Sequence, residues 1–565
     1  MPATATTPAT ATTPTKSDQL EQVKKEEIDL TKIKTDENLP APHKLEAGPA
    51  ALPTPKEFIE GEIVKVGQIG LLPWENRFGA MIGIERLGDK FYASITPGMN
   101  YKFKISSKRS LSLTLGVPLR FEILDPKTDV RFDNAGKLRS QDWDEASDFA
   151  KIIQRLTLGG KEQHFYLDVN RFSNRTLGHG SLIKRYDSNL NFNTSRVGLQ
   201  LDAFNDYVGF ESVVNDITRP NIIGGLVFFK PLSLIDRKKS LFRSFSLGVS
   251  MVGDFRAPLR NDLDRYDIDK DGRRTSELTI NPNTFQPKSL TSNVIGYGFD
   301  AEIKLYDKKY FDWKTYVDYS FLETGLPTKN TQEIRTDYVS THKVRSGGFT
   351  WGHLIRSNVG SGTIHAFRAR IEYRNYDANY LPSYFDPLYE IQRVQYAPNG
   401  NITDLANATK AQQIFSRTGG RIHGGYLEGN WRYGDYVALA AGIEFNSRTP
   451  DNHFFIHFEL PKVGQFQFAT TYQRRNATSL GQAFEFNLNN NNIWIVQSRY
   501  LLSRFIATNL SVMTPFGFSS DSSVFRNTLQ VNLSVDIGFA FLDGTAANQP
   551  KPTTQTGSPA SRSEN

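Results

Sequence analysis

The sharpest local arrangement of chemistry-bearing residues is Asp267, Asp269 and Asp271, followed by Gly272. Three carboxylates at alternate positions before a glycine can converge on a hard cation, so they form a candidate Ca2+ site. Glu277 stands at the eleventh position of this loop, one short of the closing acid of a helix-flanked calcium loop, and the flanks read as strands. The competing reading is an acidic turn that binds nothing or holds divalent ions only loosely. A second pattern is basic. Arg368, Arg370 and Arg374, with Glu372, fall on one face of a strand, and such a ladder attracts anionic solutes. Asp300, Glu302, Lys304, Asp312, Asp318 and Glu444 fall on matching faces of other strands, and Asp536 on another. Those acids offer partners to the arginines, so the pattern predicts structural pairing rather than strong anion selectivity.

The histidines suggest little catalysis. His453 and His457 share a strand face but stand roughly 13 Å apart at the rise of a strand, too far to chelate one metal. His179-Gly180-Ser181 invites a hydrolase reading, yet adjacency in sequence is not triad geometry. No catalytic residue is assigned and the chain is expected not to be an enzyme. The segment 375–417 carries Tyr380, Tyr384, Phe385, Tyr389 and Tyr396 with Pro382 and Pro387. Such a loop either tucks inward and narrows a lumen, offers an outer binding surface, or packs on its own rings.

The elements that position these residues are strands. In the run Gln530–Phe541, Val531, Leu533, Val535, Ile537, Phe539 and Phe541 fall on one face, and polar or small residues on the other. The same alternation recurs. Phe245, Leu247, Val249 and Met251 oppose serines and glycine; Phe311, Trp313, Val317, Tyr319 and Phe321 oppose Asp312, Lys314, Asp318 and Ser320. No helical pattern is long enough to cover so many sheet faces. The economical solution is a large closed antiparallel transmembrane β-barrel of about 18–20 strands, with lipid outside and polar side chains within. The strands near 77–86, 90–104, 109–124, 148–158, 162–170, 194–204, 206–214 and 220–230 are less regular, and the first pair can lie outside the barrel. On the same pattern Phe454, Ile456 and Phe458 face lipid, while His453, Phe455, His457 and Glu459 face inward.

Connections support closure. The segments 256–291, 322–347, 375–417, 475–491 and 514–526 are long, whereas Asp307–Tyr310, Asn358–Gly362, Tyr433–Asp435, Pro461–Gly464 and Leu502–Ser503 are tight. Outer-membrane barrels have long extracellular loops and short periplasmic turns. The 565 residues divide into an Ala/Thr/Pro-rich and charged tail (1–56), a barrel (57–541, with 57–76 as lead-in) and a second tail (542–565). Both tails lack the apolar residues for a core and are expected to be disordered. Mean hydropathy is −0.44, but lumen-facing residues dilute the apolar signal of any barrel. No run approaches the roughly 20 apolar residues of a spanning helix. Cysteine is absent, which rules out disulfides and thiolate chemistry. The net charge of +7 is spread along the chain, which argues against nucleic acid. Residues 1–15 show no basic and apolar regions of a signal peptide, although outer-membrane export requires one.

The closing strand resembles the C-terminal signal strand of bacterial outer-membrane proteins, which implies that Phe539 and Phe541 are read by the barrel-assembly machinery. It departs from that pattern in the tail that follows Phe541. Thr176–Asn189 (TLGHGSLIKRYDSN) and Tyr380–Tyr396 (YLPSYFDPLYEIQRVQY) resemble uncharacterised barrels of myxobacteria and related predatory bacteria. The expected location is the cell outer membrane of a Gram-negative bacterium, with its lipid and lipopolysaccharide as partners. The expected function is that of a porin-like channel or transporter for passive passage of small solutes. The alternatives are a structural or adhesion barrel with a filled lumen and functional loops, or an outer-membrane hydrolase. No cofactor is expected beyond the candidate Ca2+. A siderophore-type plug domain is not expected, since residues 1–76 are short.

Overall fold

The computed structural model describes residues 76–540, except 107–108, 127–131, 160–163, 172–174, 191–194, 237–238, 265–276, 280, 282–286, 309, 325–343, 360–364, 397–407, 418, 448–451, 487, 489–490, 504 and 520–523. The strands of the first half are β1 (Arg77–Leu87), β2 (Lys90–Ser106), β3 (Arg109–Gly116), β4 (Leu119–Leu124), β5 (Ile153–Gly159), β6 (Phe165–Asn170), β7 (Gly198–Phe204), β8 (Val208–Val214), β9 (Ile222–Phe229) and β10 (Ser246–Asn261). A short hairpin, β11 (Leu263–Asp264) with β12 (Glu277–Leu278), follows. Next come β13 (Ser289–Lys308), β14 (Phe311–Thr324), β15 (Val344–Val359), β16 (His365–Tyr376), β17 (Ile422–Tyr433) and β18 (Val437–Asn446). The chain continues through β19 (Asn452–Val463), β20 (Phe466–Ala477), β21 (Asn492–Leu501) and β22 (Ile506–Met513). A second hairpin, β23 (Phe516–Ser519) with β24 (Val524–Asn527), precedes β25 (Gln530–Ala540).

Twenty strands form one antiparallel ring. Each pairs with its neighbours in the chain, and β1 closes on β25 from Arg77↔Ala540 to Arg86↔Val531. Strands β3 and β4 are one line along β2, interrupted at Val117–Pro118. Proline has no N–H for the ladder, and only β3 goes on to pair with β5. The first pair therefore lies inside the ring, as its seam. That seam relies on a close approach. A Cβ at Gly538 would fall on the Arg77 guanidinium, whose Nη1 donates to Asp536 Oδ2 at 2.9 Å.

The outer wall is apolar. Phe78, Leu533 and Phe539 are each more than half exposed there, with Met251, Phe299, Tyr319, Phe367 and Ile371 around the ring. Tyr306, Tyr310, Tyr436 and Tyr500 stand exposed towards the end with tight turns, as an interfacial girdle does. Closure leaves the ring no sheet edge, which is the condition for satisfying a strand backbone in hydrocarbon. The wall departs from the simple pattern at one place. Phe454 points outward as expected but is buried, because Phe484 of the 478–491 connection packs over it at 4.7 Å between ring centroids. Phe486 covers Tyr472 in the same way at 4.9 Å.

Candidate functional site: the occupied lumen

At the long-loop end the described parts of two connections, within 171–197 after β6 and 377–421 after β16, fold into the barrel. They meet inside. Ile183 and Phe385 form a parallel bridge, with the Lys184 N–H donating to the Phe385 carbonyl and the Phe385 N–H donating to the Leu182 carbonyl, both at 3.0 Å. The cause of the inward fold is apolar. Leu177, Leu182, Ile183 and Tyr186 of one segment and Tyr380, Tyr384, Phe385 and Tyr389 of the other form a single buried cluster. The wall offers Val252, Leu259, Val294 and Leu322 to it. Removing each such side chain from water contributes about 1.5–3 kcal/mol. Gly296 makes the approach possible, since a Cβ there would lie 2.7 Å from Leu182.

The tip of the first segment reaches mid-strand on β13 and β14. His179 stacks on Tyr316 at 4.0 Å between centroids. Its Nδ1 lies 2.8 Å from Asp318 and its Nε2 2.9 Å from Glu302. Burial disfavours the imidazolium, but these two carboxylates outweigh it and raise the His179 pKa to about 10. Lys314 donates to Glu302 at 2.7 Å, and the Arg370 Nη1 donates to the His179 carbonyl at 2.6 Å. Ser181 gives its hydroxyl proton to Asp318. Ser181 and His179 thus share an acid instead of forming the nucleophile–base contact that acyl transfer needs.

Of the described lumen residues singled out from sequence, all but Asp300 are held in hydrogen bonds or ion pairs, in several separate sets. Arg370 and Arg374 both reach Glu372, and Tyr316 donates to it at 2.5 Å. Arg374 also lies 2.8 Å from Glu444. Arg368 is 3.6 Å from Glu428, which Arg185 of the first inserted segment approaches to 3.0 Å. Asp312 holds Arg356 at 2.8 Å and Lys304 at 3.2 Å. The arginine ladder is accordingly a set of pairs. Asp300 faces the same space as Asp318, its cross-strand partner. His457 is bonded to Thr471 at 2.7 Å and His453 to Arg475 at 3.1 Å, so the two histidines serve separate contacts. Tyr380, Tyr384, Phe385, Tyr389 and Tyr396 are all buried, the inward one of the three options. Asp267, Asp269, Asp271 and Phe541 lie outside the described residues, as do 1–75 and 541–565. Phe539 is exposed on the outer wall.

Sequence reasoning missed the inserted segment 171–197 as a structural unit. Its signal was the density of Leu, Ile and Tyr between Leu177 and Leu190 in a stretch too long for a turn. It also missed the space left beside the β1–β25 seam. A cavity of about 160 Å3 lies there, bounded by β1, β22 and β25, the segment 141–151 and the inserted loop. Arg120 is tied to Glu85 at 2.7 Å and to Asp142 at 3.1 Å. Arg171 lines the cavity and makes no hydrogen bond or ion pair among the described residues. Gln530 Nε2 and Ser195 Oγ are buried donors without a partner among the described residues. Near Arg171, burial pushes the Asp187 carboxyl up to about 7, despite an N–H from Asn189 at 2.8 Å.

No protein-family model matches the chain, and no curated protein does. Solved structures with some likeness include CdiB from Acinetobacter baumannii, at 9% identity and a TM-score of 0.26 over 82% of this chain and 60% of that one. OccD3 (OpdP) of Pseudomonas aeruginosa gives 8% identity and a TM-score of 0.28, over 85% and 95% of the two chains. OmpF of Salmonella typhi, in complex with daunomycin, gives 10% and 0.25, over 82% and 97%. The chain spans 60% of the length of CdiB.

Proposed function

We propose that the protein is an outer-membrane channel or transporter for small charged or polar solutes, gated by the two loops folded into its lumen. The observation that carries this reading is the unequal filling of the lumen. Side chains close the part walled by β9–β17, whereas a polar cavity remains by the seam. Its cations and anions, with unmatched donors at Gln530 and Ser195, suit a hydrated or charged solute better than an apolar one. Unhindered diffusion of the porin kind does not suit a lumen so occupied. Lipid, lipopolysaccharide and the assembly machinery are the partners this location implies.

A barrel whose lumen is filled for good, with the outer loops as the working part, is the second reading. The buried aromatic cluster favours it. Single-channel recording of the purified protein in planar bilayers separates the two. Small, discrete and interrupted currents are expected from a loop-gated channel. A silent membrane with verified insertion, silent also after loop deletion, leaves only the filled barrel.

A further inference from the structure

We propose that His179, Asp300 and Asp318 form a binding site for a divalent transition ion, of which Zn2+ is the test case, that pins the inserted loop to the barrel wall. Each of the three offers a ligand atom, and these atoms lie within 4.8 Å of one another. Tetrahedral zinc holds donors about 3–4 Å apart, so the carboxylates need only draw in by side-chain rotation. Imidazole nitrogen with carboxylate oxygen is a donor set for such ions.

Three further observations point to a cation. First, Asp300 and Asp318 stand directly opposite each other across β13–β14, and like charges so placed destabilise a sheet. Asp318 has His179 and Ser181 as partners. Asp300 has no hydrogen bond or ion pair with any described residue, and its carboxylate rests over Gly248, where a Cβ would lie 2.4 Å from it. Second, the charges do not cancel. Three carboxylates, Asp300, Glu302 and Asp318, crowd together with Lys314 as a fixed cation beside them, which leaves an excess of negative charge. Lys230, towards Glu302, and Glu211, towards Asp300, offset each other at the margin.

Third, the histidine is already oriented as a ligand. With Nδ1 turned to Asp318 and the ion, Nε2–H is left donating to Glu302 at 2.9 Å. Metal-bound histidines place their second N–H on a carboxylate in this way, which fixes tautomer and ring plane. The Tyr316 stack and the Arg370 bond to the His179 carbonyl hold the ring from two more sides. The site joins a loop residue to two wall residues, so an occupied site resists withdrawal of the loop whether or not the lumen conducts.

The test uses the untagged full-length protein in detergent, stripped with chelator and titrated with ZnCl2 by calorimetry, with CaCl2 as control. One zinc per chain is expected, with a rise in melting temperature and slower protease cleavage of the inserted loop. Asp300→Asn removes a ligand without removing any described bond, so it should fold normally. It is expected to lower zinc affinity by about a hundredfold, the upper end of what loss of even an outer-shell partner does. Glu302→Gln, acting through the imidazole, is expected to lower it by about 10- to 100-fold. Absence of stoichiometric binding, calcium binding as tightly as zinc, or an Asp300→Asn protein that binds zinc like the parent overturns the proposal.

Discussion

The two sides of the lumen treat charge differently. On the side walled by β13–β18, Arg370, Arg374, Glu372, Glu428 and Glu444 are all buried, and each has a charged partner. On the side of the seam, Arg171 has no ion pair, and the buried donors of Gln530 and Ser195 no acceptor, among the described residues. Buried polar atoms without a hydrogen-bond partner among the described residues occur on both sides, Lys184 Nζ and Tyr384 Oη among them, but those of Gln530 and Ser195 line an open cavity, where water or a ligand can meet them and offset the cost of about 1–3 kcal/mol each. The paired side reads as architecture and the unpaired side as the place where something is received. Removing the tip of the first inserted segment (178–184, replaced by a Gly-Ser bridge) tests this contrast most severely. Bilayer conductance should rise several-fold, because the tip carries Leu182, Ile183 and His179 across the lumen. Unchanged conductance would show that the second segment alone closes the barrel.

The next largest effect separates packing from reception. Tyr389 is fully buried among Tyr384 and Phe385, and its hydroxyl donates to Asp254 at 2.7 Å. Tyr389→Ala should weaken docking of the second segment by about 3–5 kcal/mol, seen as rapid protease cleavage within 377–421 and a noisier current. Arg171→Ala should change stability by no more than about 0.5 kcal/mol, as it has no hydrogen bond or ion pair to lose among the described residues. It should instead reduce the relative permeability of anions, read from reversal potentials in a salt gradient. If both substitutions change stability and neither changes selectivity, the two sides do not differ in kind.

How much of this was legible beforehand follows from periodicity. A strand repeats every two residues, so the lipid face of Leu533, Val535, Ile537 and Phe539 was readable, and with it the lumen face of Arg370 and Glu372. Register was not. Nothing local shows that Arg374 meets Glu444, or that Asp300 lies opposite Asp318, because cross-strand neighbours depend on turn lengths and bulges such as that between Lys304 and Tyr306. Loops carry no period at all. The aromatic content of 375–417 showed that it would fold against something, while its direction depended on apolar wall residues such as Leu259 and Leu322 that only closure brings together. Phe454 shows the limit on the outer face. Its direction was legible, but the covering ring of Phe484 arrives from a connection whose path no pattern specifies.

The smallest effect is a pH dependence on the seam side. Asp187 has its pKa raised by burial to about 7, against about 3.9 for a free aspartate, while Arg171 opposes the shift. The folded loop therefore binds this proton more tightly than the unfolded chain does. Stability is lost as pH rises from about 4 through 7 and is level above it, because over that window the native state holds the extra proton. Docking of the first segment should thus be firmer at pH 5 than at pH 8, measured as slower proteolysis within 171–197. Asp187→Asn should remove Asp187's share of that slope. Arg171→Ala, by withdrawing the opposing charge, should move the Asp187 step to higher pH. A step that stays in place in the Arg171 variant would mean that the guanidinium is screened from Asp187 by water, and that the cavity is wetter than its unmatched donors imply.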